Sequence, residues 1–205
     1  RMSRVLVLAP QAMINQWFVE LRRRFNLTFR VPESEDHGEG LLEHVGTHHQ
    51  TILSLESLKN GAVGEALLVA DWDLIIVDEA PRIEWSEAAP SAEYLLLQSL
   101  AARSRGLLLL TATPELLGLE GHFGRLRLLD PERFSSFASY RKEHACYAAT
   151  AKKAEALLRE EGPSSPKVRA LIDEHGTGRV YFRNARKVVE AESYRFPTRL
   201  LRPAP

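Results

Sequence analysis

Short apolar runs alternate along the chain with segments whose apolar residues recur every three to four positions. Residues 4–9 read as a buried strand. Pro10 then opens a helix in which Ile14, Trp17, Phe18, Leu21 and Phe25 share one face. Residues 27–31 predict a second strand. Residues 32–49 are polar and rich in Gly, His and acids, which predicts a loop carrying one helical turn. Residues 51–55 read as a strand and 56–69 as a helix. Two continuous apolar strands follow, at 73–77 and 107–110. Between them Ser91 caps a helix with Tyr94, Leu97 and Leu100 inward, and Gly106 lies past its end.

Strands that are apolar at every position, rather than at every second one, are buried on both faces. With helices between them they predict an α/β fold, a mostly parallel sheet with helices on both faces. Ligands of such sheets bind at the carboxyl ends of the strands. Three of those ends are rich in polar or turn-forming residues: Ala9-Pro10-Gln11, Asp78-Glu79-Ala80-Pro81 and Thr111-Ala112-Thr113-Pro114. Beyond Asp130 the pattern changes. Residues 131–161 are mostly helical, Gly162-Pro163-Ser164-Ser165-Pro166 breaks them, and residues 167–174 form a short helix ended near Gly176. Residues 179–182 suit a strand or a helix start, and Pro203-Ala204-Pro205 reads as linker. The division this predicts is a lobe core over 1–130, a helical extension of the same lobe over 131–178, and the end of the lobe with the start of a linker over 179–205.

Composition narrows the class without choosing a partner. The 205 residues are 44% hydrophobic and 26% charged, which is ordinary globular composition. Lys plus Arg and Asp plus Glu are 27 each, so net charge does not point to nucleic acid. Its distribution does more. Arg1, Arg4, Arg22, Arg23, Arg24 and Arg30 face one acid, Glu20, in the first thirty residues. Arg179, Arg183, Arg186, Lys187, Arg195, Arg199 and Arg202 crowd the last part, and Glu33, Glu35, Asp36, Glu39 and Glu43 cluster between. Cys146 is the single cysteine, which excludes a disulfide framework and a thiolate metal site and fits a reducing cytosol. No apolar run reaches membrane-spanning length. The chain opens inside a strand-like run, which predicts a piece excised from a longer protein.

A carboxylate at the end of a buried strand can hold a nucleotide-bound Mg2+ through water, because magnesium keeps several of its waters. A neighbouring carboxylate can polarise the attacking water. Asp78 and Glu79 have the form of this Walker B half of a phosphoryl-transfer site; the plain alternative is a strand ending in two solvated acids. The second strand end, Thr111-Ala112-Thr113, weakens that alternative. The stretches "VLVLAPQAMINQW", "TILSLESL", "LIIVDEAP" and "LLLLTATPELLG" resemble motifs Ia, Ib, II and III of helicase superfamily two, in its Swi/Snf-type translocase branch. "LLGLEGHFGRLRLLDPERF" and "HGTGRVYFRNARKVV", followed by "FPTR", are similar to the bacterial RNA-polymerase-associated ATPases of that branch. The resemblance covers nearly the whole chain.

The resemblance implies a RecA-like first lobe, of the P-loop NTPase type, from an ATP-driven translocase that recycles RNA polymerase. By that resemblance Asp78 coordinates Mg2+ through water and Glu79 activates water, while Thr111 and Thr113 couple the site to a second lobe. Pro10, Gln11 and Ser54 lie in segments that contact a nucleic-acid backbone without sequence specificity. Trp17 lies in the same motif, but its helical neighbours make it a core residue. The implied partners are DNA, the RNA polymerase core and the protein's own second RecA-like lobe, with no membrane; the implied location is the bacterial cytoplasm.

Two departures stand out. None of the twelve glycines is followed by lysine, so no G-x-x-x-x-G-K-[ST] phosphate loop is present, and His175-Gly176-Thr177-Gly178-Arg179 lacks both its lysine and its spacing. The expectation is that this loop lies upstream and the arginine finger downstream. The chain alone is then inactive with no ATP or Mg2+ bound. In addition, Pro81 stands where the family usually has His, which questions the coupling more than the chemistry. The rival reading is a non-catalytic RecA-like scaffold that binds polymerase or DNA. A Rossmann-type enzyme is weaker still, since no G-x-G-x-x-G follows a strand.

Overall fold

The computed structural model describes residues 3–32, 39–112, 118–162, 165–168, 170 and 180. The chain divides into two compact units, residues 1–145 and 146–205. In the first, four strands form one parallel sheet in the order β2-β1-β3-β4. They are β1 (Val5–Ala9), β2 (Gln50–Ser54), β3 (Leu74–Val77) and β4 (Leu107–Leu109).

Register explains the unbroken apolar runs. Val7 pairs with Ile52 on one side and Ile76 on the other. This row meets Ile14, Phe29, Trp17 and Leu21, so helix α1 (Ile14–Phe25) covers that face. The alternate row, Leu6, Leu8, Ile75 and Val77, is also fully buried. Each such side chain contributes about 1.5–3 kcal/mol on leaving water. The fold is therefore the α/β, RecA-like arrangement that the sequence predicts. At the opposite edge of the sheet Asp73 pins the start of β1 to β3. Its Oδ2 accepts from the Ser3 N–H at 2.8 Å, the Arg4 N–H at 3.0 Å and the Ser3 hydroxyl at 3.1 Å. These donors hold its carboxyl down to about 2.

Several elements differ from expectation. Residues 27–31 form no strand. Only Arg30 bridges to β2, with its N–H donating to the Gln50 carbonyl and its carbonyl accepting from Ile52. The segment is hemmed in by Asn26, left-handed at φ 53 as the cap of α1, and by Pro32, which has no N–H to donate. The polar stretch holds a full helix, α2 (Glu39–Thr47), because Leu41 and Val45 stand four apart and are both buried. The helix expected over 56–69 is two pieces. A 3-10 turn, Leu55–Lys59, is followed by α3 (Gly61–Val69), which begins afresh where the Asn60 side chain accepts from the Ala62 N–H.

A 3-10 turn, Gln11–Met13, precedes α1, and Phe18 and Phe25 are exposed rather than on the buried face. Leu108 is 44% exposed, against the expected two-sided burial of β4. Among the described residues β4 is the last strand of the sheet, with β3 as its one neighbour. Other expectations hold. Helix α4 (Ala92–Arg103) starts on Ser91, whose hydroxyl oxygen accepts from the Tyr94 N–H, with Tyr94, Leu97 and Leu100 buried.

Helix α5 (Gly118–Leu129) and the first turns of α6 (Phe137–Glu161) share an aromatic cluster with the segment after β3. Phe123 lies 4.9 Å from Trp85 and 5.3 Å from both Phe137 and Tyr140, ring centre to ring centre. The Tyr94 hydroxyl donates to the Gly124 carbonyl at 2.9 Å. In the second unit α6 ends at Gly162, left-handed at φ 77, and both Ser165 and Lys167 reach back to the Glu161 carboxylate.

Candidate functional site

Parallel pairing brings the carboxyl ends of all four strands to one edge. Ala9 is in register with Ser54, and Leu8 with Val77. Just past β3 the chain is held from both sides. The Asp78 N–H donates to the Leu8 carbonyl at 2.8 Å, and the Ala80 N–H donates to the Leu110 carbonyl at 3.0 Å. The β1, β3 and β4 ends, and with them Pro10, Asp78 and Thr111, are thus joined by main-chain bonds. Thr113 lies outside the described residues, as do Arg183, Arg186 and Lys187.

The Asp78 carboxylate is half-buried and held at both oxygens. Its Oδ2 accepts from the Trp17 indole N–H at 2.8 Å, and its Oδ1 accepts from the Glu79 N–H at 3.0 Å. A carboxylate has about four lone-pair positions, so one donor on each oxygen leaves acceptor capacity on both. That donor set fits a single water-mediated contact to a Mg2+ ion arriving with a nucleotide, which needs one or two carboxylates and not a full protein cage.

Glu79 has backbone angles φ 50 and ψ 48, the left-handed region that a residue with a long side chain rarely adopts. This turns the chain sharply at the end of β3. The two adjacent carboxylates consequently leave the strand on different courses, and the Ala80 N–H reaches β4. The turn that follows, Ala80–Arg82, is a 3-10 helix with Pro81 buried in its opening positions. The N–H of such a position has no partner within a helix, so proline removes no bond there, and its fixed φ suits the start. Pro81 is therefore accommodated by the backbone without loss.

The nucleic-acid candidates divide. Pro10 is buried at the end of β1 and Gln11 is exposed. The Gln11 N–H is already engaged, donating to Glu56 Oε2 at 3.1 Å, while Glu56 Oε1 accepts from Arg82 at 3.2 Å. Glu56 thus spans the turn after β1 and the turn after β3. Ser54 is buried, and its hydroxyl oxygen accepts from the Ser57 N–H at 3.1 Å to start the 3-10 turn. Sequence reasoning missed Glu56, which acts across forty-five residues and has no local signature. It named Trp17 but assigned it to the core. The available signal was chemical: a half-buried indole needs an acceptor for its N–H.

A strand-end Asp-Glu pair on a parallel sheet, tied to the neighbouring strand ends, defines the class of protein. The chain belongs to the SNF2-related domain family, whose pattern matches residues 1–191. Among curated proteins it is similar to the RNA polymerase-associated protein RapA of Pseudomonas putida, 40% identical over 238 aligned positions that take in all of this chain and 25% of that protein. It is likewise 40% identical to RapA of Stutzerimonas stutzeri over 237 positions, again with all of this chain and 25% of the relative. The chain spans about a quarter of the length of these curated relatives. Among the described residues, no helix is long and apolar enough to cross a membrane.

Proposed function

We propose that this chain is the part of an ATP-dependent nucleic-acid translocase that carries the Walker B and motif III half of the ATPase site. The whole protein remodels or recycles RNA polymerase in the bacterial cytoplasm. The reading is supported by family membership, by likeness to proteins named for association with RNA polymerase, and above all by the Asp78–Glu79 pair at the carboxyl edge of β3. Residues 1–130 serve as the lobe core, 131–178 as its helical extension, and 179–205 lead to a second RecA-like lobe.

Within this reading Asp78 holds the nucleotide's Mg2+ through water, and the ion neutralises phosphate charge when bound. Glu79 takes a proton from the attacking water and orients it. Thr111 and Thr113 relay nucleotide state toward the second lobe. Pro10, Gln11 and Ser54 lie in segments along a sequence-independent DNA backbone contact, in which the exposed Gln11 exchanges Glu56 for phosphate while the buried Pro10 and Ser54 shape the turns that present it. The 205-residue chain by itself is inactive, because hydrolysis requires the metal side of the site, a phosphate loop and an arginine finger to act together.

The experiment is Glu79→Gln in the whole protein, with ATP hydrolysis and nucleotide binding measured side by side. Hydrolysis is lost and binding is retained; unchanged turnover would remove Glu79 from this role. In a second assay the 205-residue chain is mixed with ATP, Mg2+ and duplex DNA. Turnover comparable to that of the whole protein would refute the split of the site between segments.

A further inference from the structure

Asp78 is gripped by a residue to which the proposed chemistry gives no part. Its Oδ2 accepts from the Trp17 indole at 2.8 Å across sixty-one residues of sequence. The indole is itself fixed, since it packs with Leu21 on Val7, Ile14, Phe29 and Ile52, the cluster between α1 and the sheet. The same carboxylate is held on its other oxygen by the Glu79 N–H at 3.0 Å. Two donors from different directions, one on each oxygen, fix the plane of a carboxylate. Backbone geometry alone would leave it free to rotate about its terminal torsion, which is broad and roughly two-fold.

We infer that Trp17 is a positioning residue for the metal-holding carboxylate, and that its N–H sets how well Asp78 receives a Mg2+–nucleotide. This rests on the nucleotide reading of the site. The indole donates and cannot accept, so it cannot compete as a ligand for a cation. It leaves the remaining lone pairs of both oxygens in one fixed orientation. An apolar side chain at position 17 would fill the same space on the Val7 cluster and lack this bond. What distinguishes Trp17 from its packed neighbours is therefore a single N–H.

Trp17→Phe in the whole protein retains an aromatic ring on the cluster and deletes that donor. A hydrogen bond to a charged group is worth roughly a factor of ten or more. We expect the Mg2+ concentration for half-maximal binding of a fluorescent ADP analogue to rise about tenfold, with affinity in EDTA unchanged. In an Asp78→Asn background the same substitution adds less than about twofold, because the two side chains act as a unit. The contact has its own readout in 15N-tryptophan-labelled protein. The indole cross-peak that Trp17→Phe abolishes shifts on Asp78→Asn, while those of Trp72 and Trp85 hold still. A peak that does not move refutes the contact. A Mg2+ requirement that does not change, in a protein whose peak does move, refutes the positioning role and leaves Trp17 a packing residue. Wild-type protein that binds no Mg2+–ADP refutes the nucleotide reading, and the positioning role with it.

Discussion

Glu79 provides a test in which the sign alone decides. Its φ of 50 and ψ of 48 lie in the left-handed region, and an L-residue there gives up about 1–2 kcal/mol. Glycine escapes that cost but loses about 0.4–1 kcal/mol through the greater freedom of its unfolded chain. Setting one against the other, Glu79→Gly should be more stable than Glu79→Ala by about 0.5–1 kcal/mol. At an ordinary position the order is the reverse. Comparing the two variants cancels what both lose, the carboxylate itself. Both also keep the bond from the Glu79 N–H to the Asp78 carboxylate and the main-chain bond from the Arg82 N–H to the Glu79 carbonyl. Urea denaturation followed by circular dichroism gives the difference directly. Alanine equal to or above glycine would show that the turn is not strained. Under the proposed function both variants also lose ATP hydrolysis. A site at which glycine is better for folding and glutamate is needed for chemistry is one where strain is kept for function.

Other expectations follow from single contacts. A Cβ on Gly124 would lie 2.5 Å from the Trp85 Cβ and 2.8 Å from its Cγ. Gly124→Ala should therefore cost about 1–3 kcal/mol from overpacking, less about 1 kcal/mol of gained helix propensity; Gly61→Ala, which meets nothing within 4 Å, should not destabilise. A Gly124→Ala melting temperature at or above wild type would contradict this packing. Asp73 is held down to about 2 by the N–H groups of Arg4 and Ser3. Its contribution is complete above the ordinary carboxylate value and is lost as pH falls from about 4 toward about 2. Asp73→Asn should accordingly flatten the acid limb of a stability-against-pH curve; an unchanged limb argues against the clasp. Glu56→Ala releases the Gln11 N–H and Arg82 and removes one negative charge at the same place. Duplex DNA binding should tighten, with a salt dependence steeper by about one counterion. Fluorescence anisotropy at two salt concentrations reads both, and unchanged affinity would take Gln11 out of the DNA contact.

The sheet was legible because burial on both faces leaves a simple trace. Val5-Leu6-Val7-Leu8 and Leu74-Ile75-Ile76-Val77 are apolar at every position, and the structure buries Leu6, Val7, Leu8, Ile75 and Val77 fully and the others in part. Helix α4 was legible for a local reason, a Ser91 cap followed by Tyr94, Leu97 and Leu100 at helical spacing. Where local signals were diluted the reading failed. Leu41 and Val45 are enough to anchor α2, but glycine, histidine and acids around them hide the period. At Asn60 a side chain that could have been read as mid-helix instead accepts from Ala62 and starts a new helix. Residues 27–31 have strand composition, yet one bridging residue between a left-handed Asn26 and Pro32 cannot propagate a ladder.

The candidate site shows the same division at finer scale. Asp78 and Glu79 declare themselves because an acid pair ending an apolar run is a sequence pattern. Trp17 and Glu56 do not, since each matters through an acceptor or donor far along the chain. Both lie in segments that the family resemblance singles out for other residues, Pro10, Gln11 and Ser54. The Trp17 indole meets a carboxylate of the chain itself, and the Gln11 N–H meets Glu56. Segments at the rim of the sheet are thus bonded inward, to the strand end that carries Asp78 and to the turn that carries Arg82. Anything that displaces Glu56 from Gln11 acts at the start of the helical stretch whose Trp17 holds Asp78. The turn after β1 and the helix it leads into therefore carry both contacts, Glu56 on the Gln11 N–H and the Trp17 indole on Asp78.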